Sequence, residues 1–400
     1  MAVLEDVGAA PGVDYGIYDA DQHYYEAEDA VSRHVDRAHR HLVRWIEMGG
    51  RRTLLVNNQL FTIVPNPTYD PVGEPGSLEV YFRAENRAGT ELRDLIQMQP
   101  IQPEYRDRDA RLARMDEQGV QFAWLLPSMG LGLEELLRTD PEGLYAVFRS
   151  YNEWLDDDWG YDRDGRIQTG PLLSLIDPRA AEAELDRALA KGARFVTFRP
   201  APVAVPGAHR SPGDPSHDRI WAKLAEAGVV AVVHAADSGY GRHLTDWGER
   251  GAYTGTKSSP LAEVLSVHIE RPVFDFMASL VCHGVFDRHP ALKVASLELG
   301  ATWVHDLVRR LRSAYGKTPQ AFRRDPADAF REHVWVAPFY EDDIVSVRDV
   351  LGADRLLLGS DWPHPEGLAA PKSWLRDFAG FSDAERRLVF HDNLAGLARR

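Results

Sequence analysis

The sequence predicts an α/β fold, a (β/α)8 TIM barrel with an inserted lid or subunit-contact segment after strand one. Three observations predict it. From about residue 107 onward, short runs rich in Val, Leu and Ile alternate with amphipathic segments, the pattern of repeated βα units around a parallel sheet. The strand-like runs number eight, the count at which such units close into a barrel. The first run ends in Asp19-Ala20-Asp21-Gln22-His23 and lacks the glycine-rich phosphate turn that a doubly wound sheet carries there.

Strand one is YGIYDADQH (15–23), followed after a long interval by QFAWLLP (121–127), IQTGPLLSL (167–175) and ARFVTF (193–198). Strands five to eight are VVAVVH (229–234), LKVASLEL (292–299), HVWVAP (333–338) and RLLLGSD (355–361). Helices are expected over 107–118, 178–191 and 218–227, stopping at Gly119, Gly192 and Gly228, where a left-handed residue ends a helix. Four more are expected over 274–288, 302–315, 342–351 and 382–399. Residues 33–105, with NPTYDPVGEPGS and the apolar runs RRTLLV and LFTIVP, read as an insertion within a single 1–400 domain. A second excursion covers 239–272. Both rise from the face where loops after strands gather, and that face carries the chemistry of barrel enzymes.

Charge narrows the function. The 400 residues carry 46 Lys+Arg against 61 Asp+Glu, a net −15, the wrong sign for coating nucleic acid or anionic membrane. The basic run RAHRHLVRW (37–45) is accordingly expected to be an amphipathic surface helix. The one cysteine, Cys282, excludes an internal disulfide and thiolate clusters, so a bound metal is expected on His and carboxylate, in a reducing compartment. The opening MAVLEDVGAAPGV lacks a basic leader, and the longest apolar stretch, 229–236, falls far short of the ~20 residues that span a bilayer. A cytoplasmic location follows as an expectation.

Polar residues recur at four strand ends. Strand one offers Asp21 and His23, which alternation places on one face with Asp19; strand five ends in His234, strand six in Glu298 and strand eight in Asp361. Two imidazoles and two or three carboxylates suit Zn2+, Mn2+ or Fe2+. Each has a plainer reading: Asp21 or Asp361 as a helix cap, His23 as a turn residue, Glu298 as a partner for Arg199 at the end of strand four. Their coincidence at ends one, five, six and eight favours a shared site. Around it, His364, Arg199, Tyr25 and Trp362 are candidate substrate contacts. Tyr24 and Tyr240 are further aromatic candidates, Arg51 and Arg52 read as solvated loop residues, and His283 as a packed or interface residue.

The combination of D-x-H on strand one, His on strand five and G-S-D-x-P-H on strand eight resembles the amidohydrolase-related family, in the branch that includes aminocarboxymuconate semialdehyde decarboxylase. RDRDARLARMDEQGV, FDRHPALKVASLELG and GADRLLLGSDWPHPEGL carry the resemblance through most of the chain. It implies one divalent ion, Zn or Mn with Fe also fitting, on Asp21, His23, His234 and Asp361, with Asp361 also relaying a proton. Strand six departs: where family decarboxylases read His-x-Gly-Glu, this chain reads Glu298-Leu299-Gly300-Ala301. Glu298 then becomes the substitute acid/base or an added ligand.

The resulting expectation is a mononuclear metal-dependent hydrolase acting on a C–N or C–O bond of a small carboxylate-bearing substrate, with Asp361 and Glu298 catalytic. The alternative is a non-oxidative decarboxylase of a small aromatic or unsaturated acid. A non-catalytic binding or assembly barrel is the remote third. No nucleic-acid or membrane partner is expected, and the insertion is expected to mediate homo-oligomerisation.

Overall fold

The computed structural model describes residues 13–249 and 259–399. The N-terminal residues read for a leader, and 250–258 in the second excursion, lie outside them.

Strand one (Ile17–Tyr24), strand two (Val120–Pro127) and strand three (Ile167–Thr169) form one parallel sheet in that order. Strand four (Phe195–Phe198), strand five (Val230–His234), strand six (Lys293–Leu297) and strand seven (Val334–Val336) form a second. Single parallel bridges join them: Leu172 to Thr197 on one side, then Val336 to Leu356 and Gln22 to Trp362 on the other. The extended run over 356–362 thus stands in the place of strand eight, between strands seven and one.

Alternation sorts each strand between two apolar environments. Phe122, Trp124, Leu126, Phe195, Val230, Val232, Ala295, Leu297 and Leu357 form one cluster, while their neighbours Ala123, Leu125, Val196, Ala231, Val233 and Val294 join the larger core with the helices. Strands covered on both faces need continuous apolar runs, which is what the sequence has.

The first helices begin and end where their caps require. Arg108–Gln118 starts at Asp107, whose side chain accepts from the Ala110 amide, and ends at left-handed Gly119. Pro178–Ala190 starts at Asp177 with Pro in the first turn, and Asp218–Ala227 ends at left-handed Gly228. Two expected helices are broken. The 274–288 segment is Glu270–Cys282 and Val285–Arg288, divided by left-handed Gly284. The 382–399 segment opens with a capping box at Ser382 and Glu385, then passes through a π turn at Leu388–Asp392. Trp303–Lys317 and Ile344–Leu351 stand near their expected places. Pro141–Asp158 is an 18-residue helix beyond those expected, capped by Asp140.

Within the insertion, the surface helix expected over 37–45 is instead a short 3-10 turn and a strand. Val43–Met48 pairs antiparallel with Arg51–Val56 across the Gly49-Gly50 turn, and Gln59–Leu60 adds a third strand. The cross-strand partners of Val43 and Trp45 are Val56 and Leu54, a pairing that outweighs the local helical pattern. A further pair, Val72–Gly73 with Met98–Gln99, lies near the end of strand eight: the amides of Gly76 and Leu78 donate to the carbonyls of His364 and Pro365.

Candidate metal centre

The carboxyl ends of strands one, five, six and eight meet. On strand one a bulge between Asp19 and Gln22 breaks strict alternation, so Asp21 and His23 face the centre while Asp19 turns to Ser360. The strand-one and strand-eight backbones are tied there: the Asp361 amide donates to the Asp21 carbonyl at 2.7 Å, and the His23 amide to that of Trp362 at 2.8 Å. Gly359 permits this approach, since a Cβ there would lie 2.9 Å from that of Asp21.

The donor atoms gather in two groups that share His23: Asp21, His23 and His234 in one, and His23, Glu298, Asp361 and His364 in the other. His23 Nε2 is 3.3 Å from Asp21 Oδ1, 3.2 Å from Asp361 Oδ1 and 3.5 Å from Glu298 Oε2. His234 Nε2 is 3.0 Å from Glu298 Oε2 and 3.6 Å from Asp21 Oδ1. Glu298 and Asp361 both hold left-handed backbone, φ 52° and 55°, a conformation that costs a non-glycine residue roughly 1–2 kcal/mol and aims both side chains inward.

The residues fit a cation. Asp21 Oδ1, both ring nitrogens of His23 and Nε2 of His234 are buried without a hydrogen-bond partner, an arrangement whose desolvation cost a bound ion would offset. His234 Nδ1 lies 3.0 Å from the Ala235 carbonyl, which fixes the ring and leaves Nε2 facing the centre.

The electrostatics agree. Burial opposes charge on His234, but Glu298 and Asp21 overcome it and push its pKa up to about 10. Burial and His364 likewise oppose charge on His23, and the Asp21, Asp361 and Glu298 carboxylates beside it still leave it raised. Burial would raise Asp21 and Asp361; the imidazoles of His23 and His234 beside Asp21, and the charge of His364 beside Asp361, hold them below the usual carboxylate range. Carboxylates in such excess recruit positive charge, as protons or as a divalent ion.

Around the centre, the structure reveals two contacts hidden from the sequence. His364 Nδ1 lies 2.7 Å from Asp361 Oδ1, and its Nε2 lies 2.9 Å from Ser128 Oγ at the end of strand two. Beneath, buried Asp19 accepts from the amide and hydroxyl of Ser360 (3.0 and 2.5 Å) and from Gln22 Nε2. Burial raises its carboxyl to about 7 despite these bonds. Polar residues at strand two and inside strand one were the only sequence signals for them.

The remaining candidates are placed as follows. Arg199 is held by Glu134 and Glu135 and donates to the Asp237 carbonyl, which ties strand four to the loop after His234. Tyr25 donates to the Pro363 carbonyl, its ring 5.6 Å from that of His364. Trp362 is buried against Tyr105 with the Arg111 guanidinium 4.5 Å over its ring. Tyr24 bonds Tyr151, Tyr240 bonds Asp275 and Arg52 pairs with Glu28. Arg51 faces Met48 in the hairpin, and His283 is exposed, beside Ser211, not packed.

A gamma-resorcylate decarboxylase of Polaromonas sp. (strain JS666 / ATCC BAA-500) is 27% identical over 124 residues, 30% of this chain; the match spans 37% of that relative's length. The crystal structure of an amidohydrolase from Mycobacterium avium subsp. paratuberculosis K-10 superimposes with TM-score 0.92 at 43% identity, over 97% of this chain and 100% of that one. A dihydroxybenzoic acid decarboxylase from Polaromonas sp. JS666, solved with manganese and the inhibitor 2-nitroresorcinol, shares the fold at TM-score 0.56 and 18% identity, over 80% and 93% of the two chains. Residues 28–395 match the family described as amidohydrolase, and the chain belongs to that family.

Proposed function

We propose that this protein is a metal-dependent, non-oxidative decarboxylase of a small aromatic or unsaturated carboxylic acid, and that it holds one divalent ion, Zn2+ or Mn2+, on Asp21, His23, His234 and Asp361. The observation that carries this reading is the chain Ser128–His364–Asp361 running into the four-donor cluster. Asp361 is already in contact with two imidazoles, so it is placed to pass a proton inward. In decarboxylation the bond to the carboxylate breaks, its electron pair stays on carbon, and a proton must be delivered there. His364, held against Asp361 through Nδ1, is the source of the proton that the Asp361 carboxyl group delivers to that carbon as CO2 leaves. Ser128 holds the imidazole in register, its own hydroxyl donating to the Tyr24 carbonyl. A bound divalent ion supplies the positive charge that orients the substrate carboxylate and its neighbouring oxygen. Tyr25 places its ring 5.6 Å from that of His364, beside this relay, and Arg199 orders the loop after strand five. The decarboxylase relative and the decarboxylase-type folds support this choice over hydrolysis. Hydrolysis of a C–N or C–O bond keeps one observation in its favour: Glu298, opposite Asp361, is a second carboxylate able to act as base.

The single-bridge links on both sides of the two sheets support a closed (β/α)8 barrel, and we propose one domain with residues 33–105 as its lid and subunit contact. Six of the eight large hydrophobic side chains exposed among the described residues, Met48, Leu60, Val80, Tyr81, Phe82 and Met98, lie in that insertion, which supports homo-oligomerisation through it. No helix among the described residues is long and apolar enough to cross a membrane; a cytoplasmic location rests on the lone cysteine.

The test is CO2 release from a panel of hydroxybenzoates and unsaturated acids, with wild type and Asp361→Asn. Release by wild type, reduced at least ~100-fold in the variant, is expected. Turnover of amides or esters with no CO2 from any acid would replace this reading by hydrolysis.

A further inference from the structure

Resting on the four-donor reading above, we propose that Glu298 is a fifth protein donor to the ion, giving the site a preference for Mn2+ over Zn2+. The geometry is that of a ligand. Its Oε2 approaches both orphaned imidazole nitrogens, at 3.0 Å from His234 Nε2 and 3.5 Å from His23 Nε2. Two atoms bound to one ion at about 2.1 Å with a right angle between them are about 3.0 Å apart, and at a tetrahedral angle about 3.4 Å. The donor separations given above run from 3.0 Å, the right-angle edge, to 3.6 Å, slightly beyond the tetrahedral one, and Glu298 lies on two of them.

His364, the other group near the cluster, is excluded because its two nitrogens are engaged by Asp361 and Ser128. Glu298 is held in place by its surroundings. Its left-handed backbone is followed by Gly300, also left-handed, and by Ala301 and Thr302, whose amides are fixed by the Asp342 and Glu270 carboxylates. The turn is pinned from two neighbouring segments, so its carboxylate is presented without further rearrangement.

Chemistry sets the preference. Asp21, Asp361 and Glu298 with two imidazoles give three anionic oxygens and two nitrogens. Zn2+ is satisfied by four donors and favours nitrogen and sulfur, whereas Mn2+ takes six and favours oxygen. The histidine found at this position in family decarboxylases would offer nitrogen in place of oxygen.

The experiment is equilibrium dialysis of chelator-stripped, full-length protein against Mn2+ alone, Zn2+ alone and an equimolar mixture, read by metal analysis, for wild type, Glu298→Gln and Glu298→His. Circular dichroism of the stripped proteins controls for folding. One Mn2+ per wild-type chain is expected, with affinity at least ~10-fold weaker in Glu298→Gln and the Mn/Zn ratio shifted toward zinc. Glu298→His is expected to keep one ion and to favour Zn2+. Wild-type Mn2+ affinity in Glu298→Gln with an unchanged Mn/Zn ratio in Glu298→His would overturn the proposal and leave the four-donor site intact. Failure of wild type to bind either ion would overturn both.

Discussion

Glu298 and Asp361 hold left-handed backbone at the ends of two strands, and neither is glycine or asparagine. Backbone strain of this kind persists where surrounding contacts over-determine it, and here those contacts are the strand-one pairing for Asp361 and the Asp342 and Glu270 carboxylates for Glu298. Asp342 carries a pH signature of its own. Burial raises its carboxyl from the ordinary 3.8 to about 7, with bonds from the Phe339 and Ala301 amides only partly opposing the rise. The folded state therefore holds this proton more tightly than the unfolded chain. The stability it contributes is complete below about pH 4 and is lost as pH climbs through 7. Asp342→Asn should remove that decline, gaining on wild type at pH 8 and differing least at pH 4 in urea unfolding. At this scale the ligand candidates were legible because strand ends can be read from apolar runs. Ser128 was not, because its meaning depends on His364, 236 residues away.

The helices show which local signals suffice. Asp107, Asp177 and Gly228 announce their ends through capping chemistry that acts within one turn. Pro141–Asp158 had the same announcement in Asp140-Pro141. The 37–45 run reads locally as helix, yet its fate was set by residues 51–56 across a hairpin. Gly228 has φ 66° and nothing within 4 Å of where a Cβ would stand, so backbone conformation alone governs its replacement. Gly228→Ala should cost about 1 kcal/mol in denaturant unfolding, with an unchanged m-value. A neutral result would show that the helix end relaxes to another cap.

For the molecule as a whole, the proposed metal binding would be linked to folding, because the candidate donors come from four strand ends that exist together only in the folded chain. Mn2+ at about 100 times its dissociation constant should stabilise the protein by roughly 2.7 kcal/mol, raising its melting temperature in a way that EDTA reverses. No shift with either Mn2+ or Zn2+ would count against the centre. The exposed apolar side chains of the insertion predict a mass above that of one 44.9 kDa chain in light scattering. Val80→Asp with Phe82→Asp should return the protein to a monomer. A monomeric wild type would end the subunit-contact reading and leave the insertion as a lid.

Asp19 and Ser360 are bonded across 341 residues of sequence, and the strand ends bearing Asp21 and Asp361 are joined beside them. Closing so long a loop is an entropic debt that later contacts must offset. On a ribosome, Asp21 and His23 emerge long before Asp361. A nascent chain would therefore lack a complete set of the proposed donors until residue 361 has been made. The proposed centre would not template the fold but follow it, and a chain cut short before residue 361 would lack one of its donors however much of its sheet had formed.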